Sequence, residues 1–142
     1  MALWVMISIA ICMLSVCSKA QSPSNDNGEL LRDKKVLIVY LSRTNNTKAV
    51  AEIIQKNVGG KLVALELENP YPENYKAIVD KVANENETGF LPRLKTKIDG
   101  IENYDVVFVG FPTWGMQLPP PVKSFLKQYD LSGKTVIPFN TN

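Results

Sequence analysis

Six consecutive polar residues, Ser42, Arg43, Thr44, Asn45, Asn46 and Thr47, lie between an apolar run and a segment with helical spacing. They supply three hydroxyls and two carboxamides. The first N–H groups of a helix have no internal partner, and the helix dipole puts partial positive charge there. A phosphate suits that place, with the Ser42, Thr44 and Thr47 hydroxyls completing its shell. A plain helix cap needs one such residue, and six exceed that need.

A second stretch, Phe111-Pro112-Thr113-Trp114-Gly115-Met116, follows another apolar run. A tryptophan just past the end of a buried strand is placed to stack on a flat ligand. Gly115 would let the backbone come close to that ligand. The competing reading packs Trp114 over the sheet edge. A third segment, Asn140-Thr141-Asn142, ends the sequence directly after an apolar run.

The elements that must carry these segments alternate in type. Lys35–Leu41 is continuously apolar and β-branched, as in a strand covered on both faces. Asn46–Val58 has helical spacing, with Val50, Ile53, Ile54 and Asn57/Val58 on one face and Gly59-Gly60 at its end. In Lys61–Glu68, Val63, Leu65 and Leu67 alternate with Ala64, Glu66 and Glu68. That predicts a strand, broken by Pro70 and Pro72. Glu73–Asn84 is a second helix, with Tyr75, Ile78, Val79 and Val82 on its apolar face. Asn86–Asp99 is polar loop. Tyr104–Phe111 is a third strand. Pro119–Tyr129 is a third helix that opens on prolines, where the missing N–H costs nothing. Val122, Phe125, Leu126 and Tyr129 would face the core, and Thr135–Phe139 is a fourth strand.

The order β-α-β-α-β-α-β predicts an α/β fold, a doubly wound three-layer sandwich around a parallel sheet. Ligands of such sheets bind beyond the carboxyl ends of the strands. The loops beginning at Ser42, Pro112 and Asn140 are then the candidates.

Composition removes several function classes. The 142 residues suit one domain, and a formal net charge of +2 is too small to argue for nucleic acid. Arg93, Lys95 and Lys97 are interleaved with other residues and read as a solvated face. There are no histidines, so the commonest general base and metal ligand are missing. Both cysteines, Cys12 and Cys17, fall in a leader. No zinc site or cysteine nucleophile is expected in the domain, and no metal.

Leu3–Cys17 is apolar except for Ser8 and Ser15, and is shorter than the ~20 residues a spanning helix needs. It is expected to be a signal peptide or lipoprotein leader over residues 1–20. Ser18-Lys19-Ala20 offers one cleavage site. Leu14-Ser15-Val16-Cys17 resembles a lipobox, which would lipidate Cys17, and the reading leans to it because Cys17 closes the apolar run. Residues 21–33 are expected to be a flexible tether, leaving 34–142 as the domain.

These residues together resemble the flavodoxin family. Tyr40-Leu41-Ser42-Arg43-Thr44-Asn45-Asn46-Thr47 is similar to that family's phosphate loop, a Ser/Thr-x-Thr-Gly-x-Thr pattern, with Asn45 in the place of its glycine. Val109-Gly110-Phe111-Pro112-Thr113-Trp114-Gly115 is similar to the loop over the flavin ring, and Leu118–Leu126 to the helix start behind it. The resemblance is closest to the flavodoxin-like proteins that carry bacterial lipoprotein-type leaders. It implies noncovalent FMN. Ser42, Thr44, Asn46 and Thr47 would hold the phosphate, with Arg43 and Asn45 in the same loop. Pro112, Thr113, Trp114 and Gly115 would run beside the isoalloxazine. Asn140, Thr141 and Asn142 would begin a third cofactor loop.

The resemblance further implies strand order 2-1-3-4, with a fifth strand and two more helices expected beyond Asn142. The chain is therefore expected to be a truncated domain of an exported protein of the bacterial cell envelope. Its expected function is electron transfer or simple flavin-dependent reduction of the NAD(P)H:quinone type, with an unknown redox partner or small acceptor. No catalytic acid or nucleophile stands out. The alternative is a noncatalytic domain that kept the fold and lost FMN. A signalling receiver domain would need clustered carboxylates after the first strand, where Ser42-Arg43 stand.

Overall fold

The computed structural model describes residues 31–142. The leader, its two cleavage sites and most of the tether lie outside the described residues. Within the last part of the tether, Lys34 N–H bonds the Leu31 carbonyl at 3.0 Å and closes a turn. Leu31 packs against one face of the sheet.

Among the described residues, four strands and three α-helices alternate. They are β1 (Val36–Tyr40), α1 (Asn46–Val58), β2 (Lys61–Ala64), α2 (Tyr75–Thr88), β3 (Val106–Pro112), α3 (Pro120–Gln128) and β4 (Thr135–Thr141). A short 3-10 turn at Ile101–Asn103 precedes β3. The sheet order is β2-β1-β3-β4, and every strand pair is parallel. This is the predicted fold class and strand order.

All five residues of β1 are buried, as its unbroken apolar run requires. Leu37 and Val39 face one side, with Leu65, Leu67, Val107, Val109, Val122 and Phe125. Val36, Ile38 and Tyr40 face the other, with Ala51 of α1 and Phe108. Burying a Leu, Val or Phe side chain is worth roughly 1.5–3 kcal/mol. This two-sided core therefore fixes the sheet, and the sheet fixes the strand ends.

Several boundaries differ from the sequence reading. Strand β2 stops at Ala64, four residues early. Leu65 and Leu67 stay buried; Leu65 N–H still bonds the Tyr40 carbonyl at 2.7 Å, and beyond it the segment pairs with the chain around Leu94. Glu66 N–H bonds Thr96 Oγ1 at 2.7 Å and Glu68 N–H bonds the Arg93 carbonyl at 3.0 Å. Helix α2 begins at Tyr75 and runs on to Thr88, where Gly89 caps it at φ 69°.

The helix faces are also rotated from the periodicity reading. In α1 the buried residues are Thr47 and Ala51, and Ile53 is 60% exposed. In α2, Ile78, Val82 and Glu85 are buried, while Tyr75 and Val79 face solvent. In α3, Val122 and Phe125 are buried as expected, but Ser124 joins them and Leu126 is exposed. Strand β4 runs through Thr141 and pairs Asn140 with Phe111 and Thr141 with Pro112. Asn140 and Thr141 are therefore strand residues and do not begin a loop.

Candidate functional site

The carboxyl ends of β1, β3 and β4 bring the three sequence segments together. Asn45 sits just before α1 in the left-handed region, at φ 66°. Asparagine tolerates that conformation better than most residues, so the turn survives without glycine. Ser42 Oγ accepts a bond from Lys48 N–H at 3.3 Å, and Asn45 itself gives no side-chain cap. The N–H groups at the very start of α1 thus face outward from a loop whose Arg43, Thr44, Asn45 and Asn46 side chains are exposed. No carboxylate belongs to this loop. Backbone donors, hydroxyls and a helix N-terminus are a donor set for an anion.

Thr47 behaves differently from its neighbours. It is buried, and its hydroxyl lies 2.8 Å from the Thr141 hydroxyl. Its backbone N–H is what it can offer an anion; its side chain ties α1 to β4. Asn46 Nδ2 makes a longer bond, 3.5 Å, to the Asn142 carbonyl.

The end of β4 also holds the second loop. Thr113 N–H bonds the Thr141 carbonyl at 3.0 Å, and Asn140 Nδ2 bonds Thr113 Oγ1 at 3.1 Å. Pro112 is the last residue of β3. Beyond it, Trp114 and Gln117 close a tight turn through a Gln117 N–H to Trp114 carbonyl bond of 3.1 Å. Gly115 and Met116 form its tip at φ 58° and 59°, and Met116 is 92% exposed. Strand β3 itself is shaped by a close approach: a side chain at Gly110 would collide with the Phe139 ring.

Trp114 is half-buried and packs against the core cluster that includes Val109 of β3 and Val122 and Phe125 of α3. Its ring meets Tyr71 edge to face, with centroids 5.6 Å apart and planes at 78°. The sheet-edge packing is therefore present, in the turn that follows β3. Two clefts flank it. One, of about 430 Å³, runs between α2 and the Trp114 turn, floored by Ile78 and Val82. The other, of about 420 Å³, is bounded by Ser42, Leu65, Tyr71 and Pro72. Arg43 stands at both, its guanidinium 5.8 Å from the Tyr75 ring centroid.

Sequence reasoning missed Tyr71 and Glu85. Glu85 is a buried carboxylate on α2, and Tyr71 donates its phenolic hydrogen to Glu85 Oε2. Burial, then this bond and the charge of Glu85, push the Tyr71 phenol far above its ordinary value. Lys81 Nζ lies 5.0 Å from the centroid of the same ring. The only sequence signal was Tyr71 standing between Pro70 and Pro72.

Among the described residues, no helix is long and apolar enough to cross a membrane, and no group of three carboxylates or thiols could hold a metal ion. Arg93, Lys95 and Lys97 are exposed, and Lys95 pairs with Glu66 at 3.2 Å.

A parallel sheet of order 2-1-3-4, with an anion-type loop after β1 and an aromatic turn after β3, defines a flavodoxin-like domain. The profile of the family described as Flavodoxin matches residues 35–142, and the chain belongs to that family. Two solved structures of provisionally assigned flavoproteins are similar. The one from Bacteroides eggerthii is 32% identical, covers 76% of this chain and 70% of its own, and has a TM-score of 0.68. The one from Bacteroides uniformis is 27% identical, covers 75% and 71%, and has the same TM-score. A Lactobacillus acidophilus flavoprotein solved in complex with FMN shares the fold at TM-score 0.70 and 24% identity, covering 75% and 74%. No curated protein matches the sequence.

Proposed function

We propose that this chain binds FMN noncovalently and serves as a flavin-dependent redox protein, either carrying electrons or reducing a small acceptor. The observation that carries the reading is the junction of three segments at one end of the sheet. The open N-terminus of α1 meets the Trp114 turn through the end of β4, by way of Thr47–Thr141 and Thr113–Thr141 contacts. Family membership and the FMN complex of the Lactobacillus flavoprotein support it.

FMN supplies the electron chemistry when bound. The protein's residues bind and orient. Ser42, Thr44 and the N–H groups of Asn46 and Thr47 would hold the phosphate, with Arg43 as the nearby cation. Pro112, Thr113, Trp114 and Gly115 would line the ring, and Trp114 would stack on it. Asn140, Thr141 and Asn142 brace the first two segments against each other. The half-buried indole keeps water from one side of the ring.

Titration of the purified chain with FMN, followed by flavin absorbance and tryptophan quenching, tests the proposal. Saturable quenching at one equivalent is expected. Absence of quenching at high FMN would instead favour a domain that keeps the fold without the cofactor. The apolar leader Leu3–Cys17 supports a place in the bacterial cell envelope. Mass spectrometry of the mature N-terminus tests it, and an unprocessed Met1 would refute both cleavage sites.

A further inference from the structure

We propose that Glu85 and Tyr71 are positioning residues for Trp114, forming a strut from α2 to the aromatic turn. Position 85 continues the buried face of Ile78 and Val82, where an apolar side chain would pack without cost. A carboxylate there is expensive to bury unless it is hydrogen-bonded. Glu85 is only 4% exposed, and among the described residues Oε1 has no partner. Its one side-chain partner is the Tyr71 hydroxyl, bonded to Oε2. The bond therefore anchors Tyr71 more than it stabilises Glu85.

The rest of the strut follows from geometry. Pro70 and Pro72 bracket Tyr71 and narrow the conformations its loop can take. Lys81, one turn before Glu85 on α2, lies near the Tyr71 ring. Held from both sides, that ring meets Trp114 at 78° across 5.6 Å. Aromatic edge-to-face pairs have a preferred geometry, so a fixed Tyr71 restricts the Trp114 ring plane. The functional meaning of this strut rests on Trp114 stacking on FMN as proposed above; the positioning itself does not need the cofactor.

The test uses the full-length chain carrying Trp4→Phe, in which Trp114 is the sole tryptophan. Acrylamide quenching and the near-ultraviolet circular dichroism of Trp114 are read without FMN. Glu85→Leu and Tyr71→Phe are expected to weaken the tryptophan band and raise quenching. Glu85→Gln keeps an acceptor for the phenol and is expected to restore the parent signals. Should Glu85→Leu fail to fold, Tyr71→Phe against Glu85→Gln decides. Parent-like signals in Tyr71→Phe, or Glu85→Gln as loose as Glu85→Leu, would overturn the proposal. FMN affinity is then measured on the same variants. A loss of about fivefold, the worth of one net hydrogen bond, is expected wherever Trp114 has loosened. A loosened Trp114 with unchanged FMN affinity would uphold the strut and instead remove Trp114 from the ring site.

Discussion

The two loops proposed to hold FMN are built on opposite plans. Arg43–Asn46 is exposed and polar, and the groups proposed to hold the phosphate are backbone N–H groups and short hydroxyls at the start of α1. The Trp114 turn presents one large side chain, which packs against Tyr71 and shares a cleft with Ile78 and Val82 of α2, elements far from it in sequence. An anion site can thus be made by local chain geometry. A ring site needs tertiary packing to aim it.

Ligands that separate phosphate from ring can break this comparison. Trp114→Ala should weaken FMN and riboflavin alike, by about 1–3 kcal/mol for a lost stacking contact. Parallel titrations with the two flavins check this. Thr44→Ala should weaken FMN by about 1.5 kcal/mol, a lost hydrogen bond to a charged group, and leave riboflavin unchanged. Thr44 is exposed, so the melting temperature should hold. Equal losses for both flavins would mean the first loop does not hold the phosphate.

A third prediction concerns alkaline stability. The folded Tyr71 phenol stays protonated well above its ordinary range, while the unfolded chain ionises near pH 10. Its contribution is complete below pH 10 and is lost as pH rises above that, because the unfolded state releases the proton first. Denaturant melts across pH 9 to 11.5 should therefore show a smaller alkaline loss in Tyr71→Phe than in the parent.

The smallest effects compare the two left-handed residues. Met116→Gly should raise stability by about 1 kcal/mol, since methionine at positive φ is strained there. Asn45→Gly should change stability by less than about 0.5 kcal/mol, because asparagine already accepts that conformation. Thermal melts of both variants check the difference.

The contrast also explains what the sequence could disclose. The first strand and the place of the first loop were legible because an unbroken apolar run such as Val36–Tyr40 has few structural solutions and the polar loop adjoins it directly, whereas the strand order followed from the family resemblance. The end of α2 was not, since Asn84–Thr88 is polar and shows no periodicity, although Gly89 stood there as a cap. Glu85 was hidden for the same reason: a buried carboxylate looks like a solvated one until Tyr71 is placed beside it. Glu66–Glu68 kept the alternation but exchanged β1 for the chain around Leu94 as partner, a choice set by a segment some thirty residues away. Asn140 and Thr141 read as loop because nothing in their types announces two more residues of ladder with β3.

The Thr47–Thr141 hydroxyl contact joins residues 94 positions apart. Contacts of that span close only after the strands between them, β1 with β3 and β3 with β4, have paired. The brace behind the anion loop is thus among the last parts of the domain to assemble, and fraying of β4 would be among the first events to release it. Hydrogen exchange at the end of β4 would report the lifetime of the whole binding end, because one transient opening there undoes both loops at once.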